Sequence, residues 1–244
     1  REEGKARKLS SLKSFYDYYF KKNLIRTNPP RQVDVPKIKN KNIIRLDPNE
    51  IAQLLDEAES GEKLSGRQLA SHEKTKVRDV AILTLLLGTG IRVSECVGLN
   101  LEDVDFNNGA IRIIRKGGNE ALIYFGDEVS QALEAYMNGP RKTAEPAAGH
   151  EEALFISLNK TRITTRSVER LVKKYSRLVT TVKKITPHKL RSTFGTALYQ
   201  ETGDIYLVAD TLGHKDVNTT KKHYAAIDEH RRRMAANVVK LRES

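Results

Sequence analysis

The sequence predicts a mainly α-helical fold with a small antiparallel β element, an α+β class. Apolar residues recur at helical spacing along most segments, and capping residues, Pro or Gly stand at the segment ends. One pair of short strand-like segments flanks a glycine-containing turn. Of the 244 residues, 39% are hydrophobic and 30% are charged, which is typical of a globular protein. This length suits one large domain or two small ones.

The N-terminal 45 residues predict one helix and a basic linker. Residues 8–24 place aromatic and leucine side chains on one helix face, which we interpret as a packing face. Pro29 and Pro30 end this pattern, because proline does not continue a helix. Residues 31–45 contain Pro36 and show little periodicity, so they are predicted to be extended.

The rest of the chain predicts a series of helices, each opened by a residue that can cap it. The clearest start combines Asp47, Pro48 and Glu50, which have the types and spacing of a capping box. The other predicted caps are Ser94, Asp127, Thr165, Thr186, Asp204, either Asn218 or Thr219, and Asp228. The predicted helices cover about residues 47–59, 73–87, 94–99, 127–137, 165–179, 186–201, 204–213, 219–226 and a last segment from 228, with loops over 60–71 and 138–151.

A β-hairpin interrupts this helical pattern. Residues 110–115 and 120–125 are rich in apolar and β-branched side chains. Residues 116–119 between them include two glycines, which readily adopt the backbone of a tight turn. The pattern predicts two antiparallel strands with Lys116 at the tip.

Basic charge is concentrated at the N-terminal end. The chain has 43 Lys and Arg against 31 Asp and Glu, a net charge of +12. Residues 1–45 contribute 13 basic and 4 acidic residues, so the remaining body is nearly neutral. A basic segment beside a neutral body favours binding to a polyanion such as nucleic acid. Added solubility and attraction to an acidic membrane are the alternatives.

Several classes of protein are excluded by the sequence. No apolar run approaches the roughly 20 residues of a membrane span, and no signal peptide precedes the first helix. The single cysteine, Cys96, excludes an internal disulfide and a cysteine-based zinc cluster. We therefore predict a soluble, cytoplasmic protein. Because its 6 histidines are scattered and no phosphate-binding glycine loop is present, we expect neither a metal nor another cofactor.

Two pairs of residues near helix starts are candidates for binding an anion. Arg92 follows Gly90 and can present two N–H groups to phosphate oxygens, and Glu95 is placed to orient it. His188 and Arg191 share a face in the first turn of a predicted helix, where unpaired backbone N–H groups favour anions. Taken alone, His188 and Arg191 are more typical of a solvated surface, and Arg92 with Glu95 can be a surface ion pair that contributes little.

Three further side chains complete a set that suits phosphoryl transfer. Lys116 stands at the hairpin tip, His214 follows Gly213 at a helix end, and Tyr224 lies in a basic stretch. Tyrosines usually pack or lie at the surface, so Tyr224 alone is weak evidence for a nucleophile. Together, two arginines, two histidines, a lysine and a tyrosine supply the cations, acid, base and nucleophile that this chemistry requires. The set favours metal-free attack by tyrosine.

The order of five motifs resembles that of the tyrosine recombinase (phage integrase) family. The motifs are residues 88–95, the Lys116 hairpin, and residues 186–191, 212–214 and 219–224. The resemblance extends from about residue 46 to the C-terminus. It implies the catalytic-domain fold of that family and site-specific recombination without metal or ATP. The implied reaction cleaves and rejoins DNA through a 3′-phosphotyrosyl intermediate, with strand exchange through a Holliday junction.

The resemblance also implies a role for each candidate residue. Tyr224 would be the nucleophile, and Arg92, Arg191 and His214 would bind the phosphate. Lys116 would be the acid for the leaving 5′-oxygen, and His188 would aid proton transfer with Tyr224. Glu95 would give structural support.

Family resemblance further implies a domain organisation and partners. The expected segments are the last helix of a truncated core-binding (DNA clamp) domain at 1–30, a basic linker at 31–45, a catalytic domain at 46–227 and a subunit-contact helix at 228–244. The residues expected to bind DNA in the linker are Lys37, Lys39, Lys41 and Arg45. The expected partners are double-stranded DNA with a specific recombination site, a tetramer formed on it through the C-terminal helix, and an accessory directionality factor. We also expect association with the bacterial nucleoid.

Two other functions remain open at this point. A type IB topoisomerase-like enzyme uses the same chemistry as a monomer, and a DNA-binding regulator needs no catalysis. The apolar stripe of Met234, Val238 and Leu241 suits a neighbouring subunit and so favours a recombinase. The full set of candidate catalytic residues argues against the regulator.

The linker generates a prediction about salt. We expect the combined neutralisation of Lys37, Lys39 and Lys41 to weaken the salt dependence of DNA binding. Each phosphate contact releases counterions, so the slope of log affinity against log salt should fall by about 0.9 per lost contact. Titrations of labelled duplex DNA at several salt concentrations measure this slope. An unchanged slope would mean that the linker contributes only solubility.

Overall fold

The computed structural model describes residues 2–36, 44–115, 117–214, 217 and 220. It confirms the predicted mainly α-helical fold with one small antiparallel sheet. Contacts divide the chain into two compact units, residues 1–42 and 43–244. In the described residues, no helix has the length and apolar character needed to cross a membrane.

The described part of the first unit contains helix α1 (Glu2–Lys21) and a 3-10 turn at Pro29–Gln32. Asn28 Nδ2 donates a hydrogen bond of 2.6 Å to Asp17, which ties the turn to the helix. Helix α1 begins six residues before the predicted start at 8, because the preceding Glu, Lys, Ala and Arg residues favour helix without adding to the apolar stripe. The predicted extended linker is wrong at its start, since residues 31 and 32 belong to the 3-10 turn.

The second unit contains eight described α-helices, one of which is central. They are α2 (Pro48–Ser60), α3 (Gly66–Glu73), α4 (Lys76–Thr89), α5 (Val93–Gly98), α6 (Asp127–Tyr136), α7 (Thr165–Val179), α8 (Pro187–Thr202) and α9 (Ile205–Thr211). Helix α4 contacts α2, α6 and α8, and its Ile82, Leu83 and Leu86 are fully buried. Burial on every side explains why α4 is apolar around its whole circumference. A smaller apolar cluster joins α8 and α9 through Tyr199, Val208 and Leu212.

A three-stranded antiparallel sheet lies beside these helices. Its strands are β1 (Val104–Asp105), β2 (Ala110–Ile114) and β3 (Glu120–Tyr124), in that order. Ile111 pairs with Ile123 and Ile113 pairs with Ala121, and the three isoleucines are buried against the helical core. The outer face carries exposed Leu122. The hairpin prediction is confirmed, while β1 was missed because two residues are too few for a periodic pattern.

The clearest helix boundaries follow the sequence. Asp47 accepts the N–H of Glu50 at 3.0 Å, and Glu50 accepts the N–H of Asp47 at 2.9 Å, so the capping box is confirmed. Asp204 accepts the N–H of Tyr206 and caps α9. Helix α8 ends at Gly203, whose φ of 73° is favourable for glycine.

Other boundaries correct the sequence analysis. The predicted loop at 60–71 contains most of α3, which was missed because the helix is short and polar and buries mainly His72. The residues preceding α5, α6 and α7 are Arg92, Gly126 and Thr164, where Ser94, Asp127 and Thr165 were expected. A π-helical turn at Met137–Arg141 begins the predicted loop at 138–151. Apart from Thr220, the predicted helices at 219–226 and from 228 lie outside the described residues.

A buried polar network joins α3, α4 and α7. The Tyr175 hydroxyl donates to Asp79 at 3.0 Å and lies 3.0 Å from both His72 Nδ1 and Lys174 Nζ. Because the hydroxyl hydrogen goes to Asp79, the Tyr175 oxygen accepts from His72 Nδ1, and Nε2 is the other nitrogen of that ring. That Nε2 is buried without a partner among the described residues. Burial is the main cause that lowers the pKa of His72, and the charge of Lys174 lowers it further.

This network predicts acid sensitivity of the fold. The folded-state pKa of His72 lies below its unfolded value near 6.5. The uncharged His72 side chain therefore contributes its full stabilising effect above that pH, and this contribution is lost as the pH falls below it. We expect the free energy of unfolding to decrease between about pH 6.5 and pH 5. Urea unfolding across this range measures the decrease. His72→Gln can keep the bond to Tyr175 but cannot titrate, so an equally steep decrease in this variant would contradict the assignment.

Candidate active site

The site forms around the C-terminal end of α9. The last carbonyl groups of a helix have no partners within it, and here Thr211, Leu212 and Gly213 present three in succession. Gly213 has a φ of 60°, a left-handed conformation that turns the chain out of the helix. His214 follows directly, and its N–H donates to Ala209 at 2.8 Å. The turn thus carries a predicted site residue beside three carbonyls that accept hydrogen bonds.

Arg92 reaches this turn from the start of α5. Its Nη1 donates to Glu95 at 2.7 Å and its Nη2 donates to the carbonyl of Gly213 at 3.3 Å. Glu95 also accepts the backbone N–H of Arg92 at 2.6 Å. The buried carboxylate of Glu95 therefore fixes both the backbone and the guanidinium of Arg92. The Arg92 side chain remains 37% exposed and is accessible to an anion.

Arg191 reaches the same turn from α8. Its Nη1 donates to the carbonyl of Gly90 at 2.6 Å, and its Nη2 donates to the carbonyl of Leu212. Arg191 is buried, so these bonds connect the loop before α5 to the end of α9 through the protein interior. Gly90 has a φ of 64°, and a Cβ there would lie 2.3 Å from the ring of Phe194. Only glycine fits at that position.

The two predicted histidines come from the turn after α9 and from the first turn of α8. His214 Nδ1 is 2.7 Å from the hydroxyl of Thr220, which fixes the orientation of its ring. His188 is exposed in the first turn of α8. Protein atoms around the His188 ring lower its pKa by desolvation, and the charges of Lys189 and Arg191 lower it further. His188 is therefore neutral near pH 7 and can accept a proton.

Arg115 is a third arginine at this turn, and its sequence position predicted no role for it. Its Nη2 donates to the carbonyl of Thr211 at 3.2 Å. It stands at the end of β2, so the hairpin, α8 and the loop before α5 each supply one arginine to three consecutive carbonyls. An arginine at a strand end has no periodic pattern. The only signal in the sequence was its position directly before Lys116.

The remaining predicted residues are distributed as follows. Lys116 and Tyr224 lie outside the described residues, as do Lys37, Lys39 and Lys41 in the predicted linker. Arg45 is half-buried just before α2. Within the described residues, no three His, Cys, Asp or Glu side chains are grouped as metal ligands.

The two hydrogen bonds of Arg191 predict a cost for its replacement by lysine. We expect Arg191→Lys to lower the free energy of unfolding by about 1–3 kcal/mol, because one ammonium cannot span two buried carbonyls. Urea unfolding measures the change. Arg92→Lys is the matched control and should lose less, since Arg92 is partly solvated. Equal losses in the two variants would contradict a special structural role for Arg191.

The chain is similar to known recombinases over most of its length. The phage integrase family matches residues 44–231. Tyrosine recombinase XerC of Thermodesulfovibrio yellowstonii is 37% identical over 218 residues, which are 88% of this chain and 69% of that protein. Tyrosine recombinase XerC of Syntrophus aciditrophicus is 35% identical over 223 residues, 90% of this chain and 68% of the relative.

Solved structures show the same similarity. The XerA recombinase is 26% identical with a TM-score of 0.66, over 87% of this chain and 72% of that one. The Tn1549 transposon integrase, solved in complex with circular intermediate DNA, is 26% identical with a TM-score of 0.68, over 93% of this chain and 77% of that one. The helical fold, the small sheet and these relatives agree with the resemblance found in the sequence. The chain belongs to the phage integrase family and is a tyrosine recombinase.

Proposed function

We propose that this recombinase cleaves and rejoins double-stranded DNA at a specific site, using Tyr224 as its nucleophile. The observation that carries the proposal is the convergence of Arg92, Arg191 and His214 at the end of α9. Guanidinium groups and a histidine at one point can bind the non-bridging oxygens of a phosphodiester. The DNA-bound integrase among the similar structures supports DNA as the partner.

The proposed step balances without an external reagent. The phenolic oxygen of Tyr224 attacks the scissile phosphorus, and its proton passes to the neutral ring of His188. The bond from phosphorus to the 5′-oxygen breaks, and Lys116 donates a proton to that leaving oxygen. Arg92, Arg191 and His214 neutralise the charge that develops on the non-bridging oxygens.

Rejoining is the same step in reverse with a different strand. The 5′-hydroxyl of a partner strand attacks the 3′-phosphotyrosyl bond and releases the tyrosine. The bond energy is conserved in the protein–DNA adduct, so ATP is not needed. Two such exchanges with a Holliday junction between them complete recombination.

The assembly and the setting are part of the same proposal. We infer a tetramer on DNA, held by contacts of residues 228–244, because Met234, Val238 and Leu241 form an apolar stripe in this segment. The proposed domains are a core-binding helix at 1–30, a DNA-binding linker at 31–45 and the catalytic domain at 46–227. We also propose an accessory directionality factor and association with the nucleoid, as the family resemblance implies.

Detection of the covalent adduct tests the nucleophile. The substrate is a pool of nicked duplexes with randomised centres, incubated with excess chelator and analysed on a denaturing gel. We expect Tyr224→Phe to abolish the adduct while DNA binding changes little, because only one hydroxyl is lost. Tyr206→Phe, which changes an exposed tyrosine of α9, is the matched control and should retain the adduct.

Other outcomes would overturn parts of this proposal. An adduct that persists in Tyr224→Phe would assign attack to another tyrosine. Binding by the unchanged protein without any adduct would indicate a non-catalytic regulator. Relaxation of supercoiled plasmid without strand exchange would indicate a topoisomerase-like enzyme. A strict need for Mg²⁺ would contradict stabilisation of the phosphate by cationic side chains alone.

A further inference from the structure

We propose that Arg115 is a positioning residue for DNA cleavage, whose side chain fastens the β2–β3 hairpin to the turn that carries His214. The inference rests on the proposed function, in which Lys116 is the general acid. Lys116 follows Arg115 directly in the sequence, so the attachment of Arg115 limits where the next residue can be.

The side chain of Arg115 is packed tightly at the end of α9. Its Nη2 donates to the carbonyl of Thr211 at 3.2 Å. The guanidinium also lies against Gly213, where a Cβ would be 2.4 Å from Nη1 and 2.5 Å from Cζ. Arg115 can approach so closely only because residue 213 has no side chain.

The packing of Arg115 lowers the stability of the fold in one respect, which argues against a merely stabilising role for this residue. Nε of Arg115 is buried and has no hydrogen-bond partner in the part of the chain that the structure describes. A buried, unpaired donor on a charged group lowers stability. Positions that break such a local rule are often functional ones. The nearby Lys116 supplies a function for which a fixed hairpin is useful.

The backbone of Arg115 closes the hairpin turn. Its N–H donates to the carbonyl of Asn119 at 2.8 Å, and its carbonyl accepts the N–H of Gly118 at 3.0 Å. One residue therefore sets the turn by its backbone and attaches it to α9 by its side chain. Among the described hairpin residues, Arg115 alone donates a hydrogen bond to the turn after α9.

Loss of the Arg115 side chain should release the hairpin rather than the α9 turn. The turn keeps its bonds from Arg92 and Arg191 to the carbonyls of Gly213 and Leu212. The hairpin loses its attachment to that turn. The defect should therefore resemble weakened acid catalysis by Lys116 and not weakened phosphate binding.

Hydrogen exchange tests the attachment without DNA. We expect Arg115→Ala to increase exchange of the amides at residues 117–120 and to leave those of Gly213 and His214 protected. Arg112→Ala is the matched control: it removes the same charge three residues earlier, within β2, where Arg112 pairs with Asp103 at 2.9 Å. The control should leave exchange at 117–120 unchanged. Unchanged exchange in Arg115→Ala, or equal increases in both variants, would overturn the proposed attachment.

Two leaving groups then test the link to catalysis. With a normal 5′-oxygen, Lys116→Ala removes the general acid and should slow adduct formation by about 10²–10⁴-fold. Arg115→Ala leaves the acid in place in the sequence but misplaces it, and should slow adduct formation by about 10²-fold. A 5′-bridging phosphorothioate has a sulfur leaving group that needs no proton, so it should restore both variants. In the Lys116→Ala background, adding Arg115→Ala should have no further effect.

The outcomes separate this inference from the proposed function. Slowing by Arg115→Ala on both substrates, or an additive effect in the double variant, would overturn positioning through Lys116. Failure of the sulfur substrate to restore Lys116→Ala itself would show that Lys116 is not the acid. The catalytic part of this inference would then be wrong, and increased exchange at residues 117–120 would leave Arg115 with a structural role only.

Discussion

Three hydrogen bonds from arginine side chains to consecutive carbonyls hold the candidate site together. The carbonyls of Thr211, Leu212 and Gly213 carry the partial negative charge of a helix C-terminus, which cations stabilise. The donors come from the hairpin, α8 and the loop before α5, which are far apart in sequence. The position of His214 relative to Arg92 and Arg191 depends on this single turn.

The same bonds explain how like charges can gather before any substrate is present. Three guanidinium groups repel each other, but each is compensated by a carbonyl, and Arg92 also by the buried carboxylate of Glu95. The folded state therefore bears the cost of bringing the charges together. Because the groups are already oriented, the proposed reaction would need little reorganisation when negative charge develops on a phosphate. Arg191 is buried and supports the turn after α9 from the interior, whereas Arg92 is partly exposed and accessible from solvent.

The sequence predicts those parts of the molecule that depend on neighbouring residues. The capping box of Asp47 and Glu50 acts over three residues, and the hairpin follows from local alternation around two glycines. Helix α3 lacked such a signal because it is short and polar. The hydrogen bond from Arg115 to Thr211 spans 96 positions, and no local pattern specifies a contact of that range. Motif order located Arg92, Arg191 and His214 but not the turn that unites them.

The close approach of Arg115 to Gly213 makes the two positions dependent on one another in evolution and in engineering. A recombinase with alanine at position 213 has room for a small residue at 115 but not for an arginine lying flat against the turn. The left-handed backbone at Gly213 adds a second reason for glycine, so position 115 is the one free to vary. Arginine at position 115 should therefore be found with glycine at 213, whereas glycine at 213 permits many residues at 115. Libraries that diversify the hairpin should keep Gly213 fixed and treat position 115 as a means of adjusting how firmly the hairpin is held.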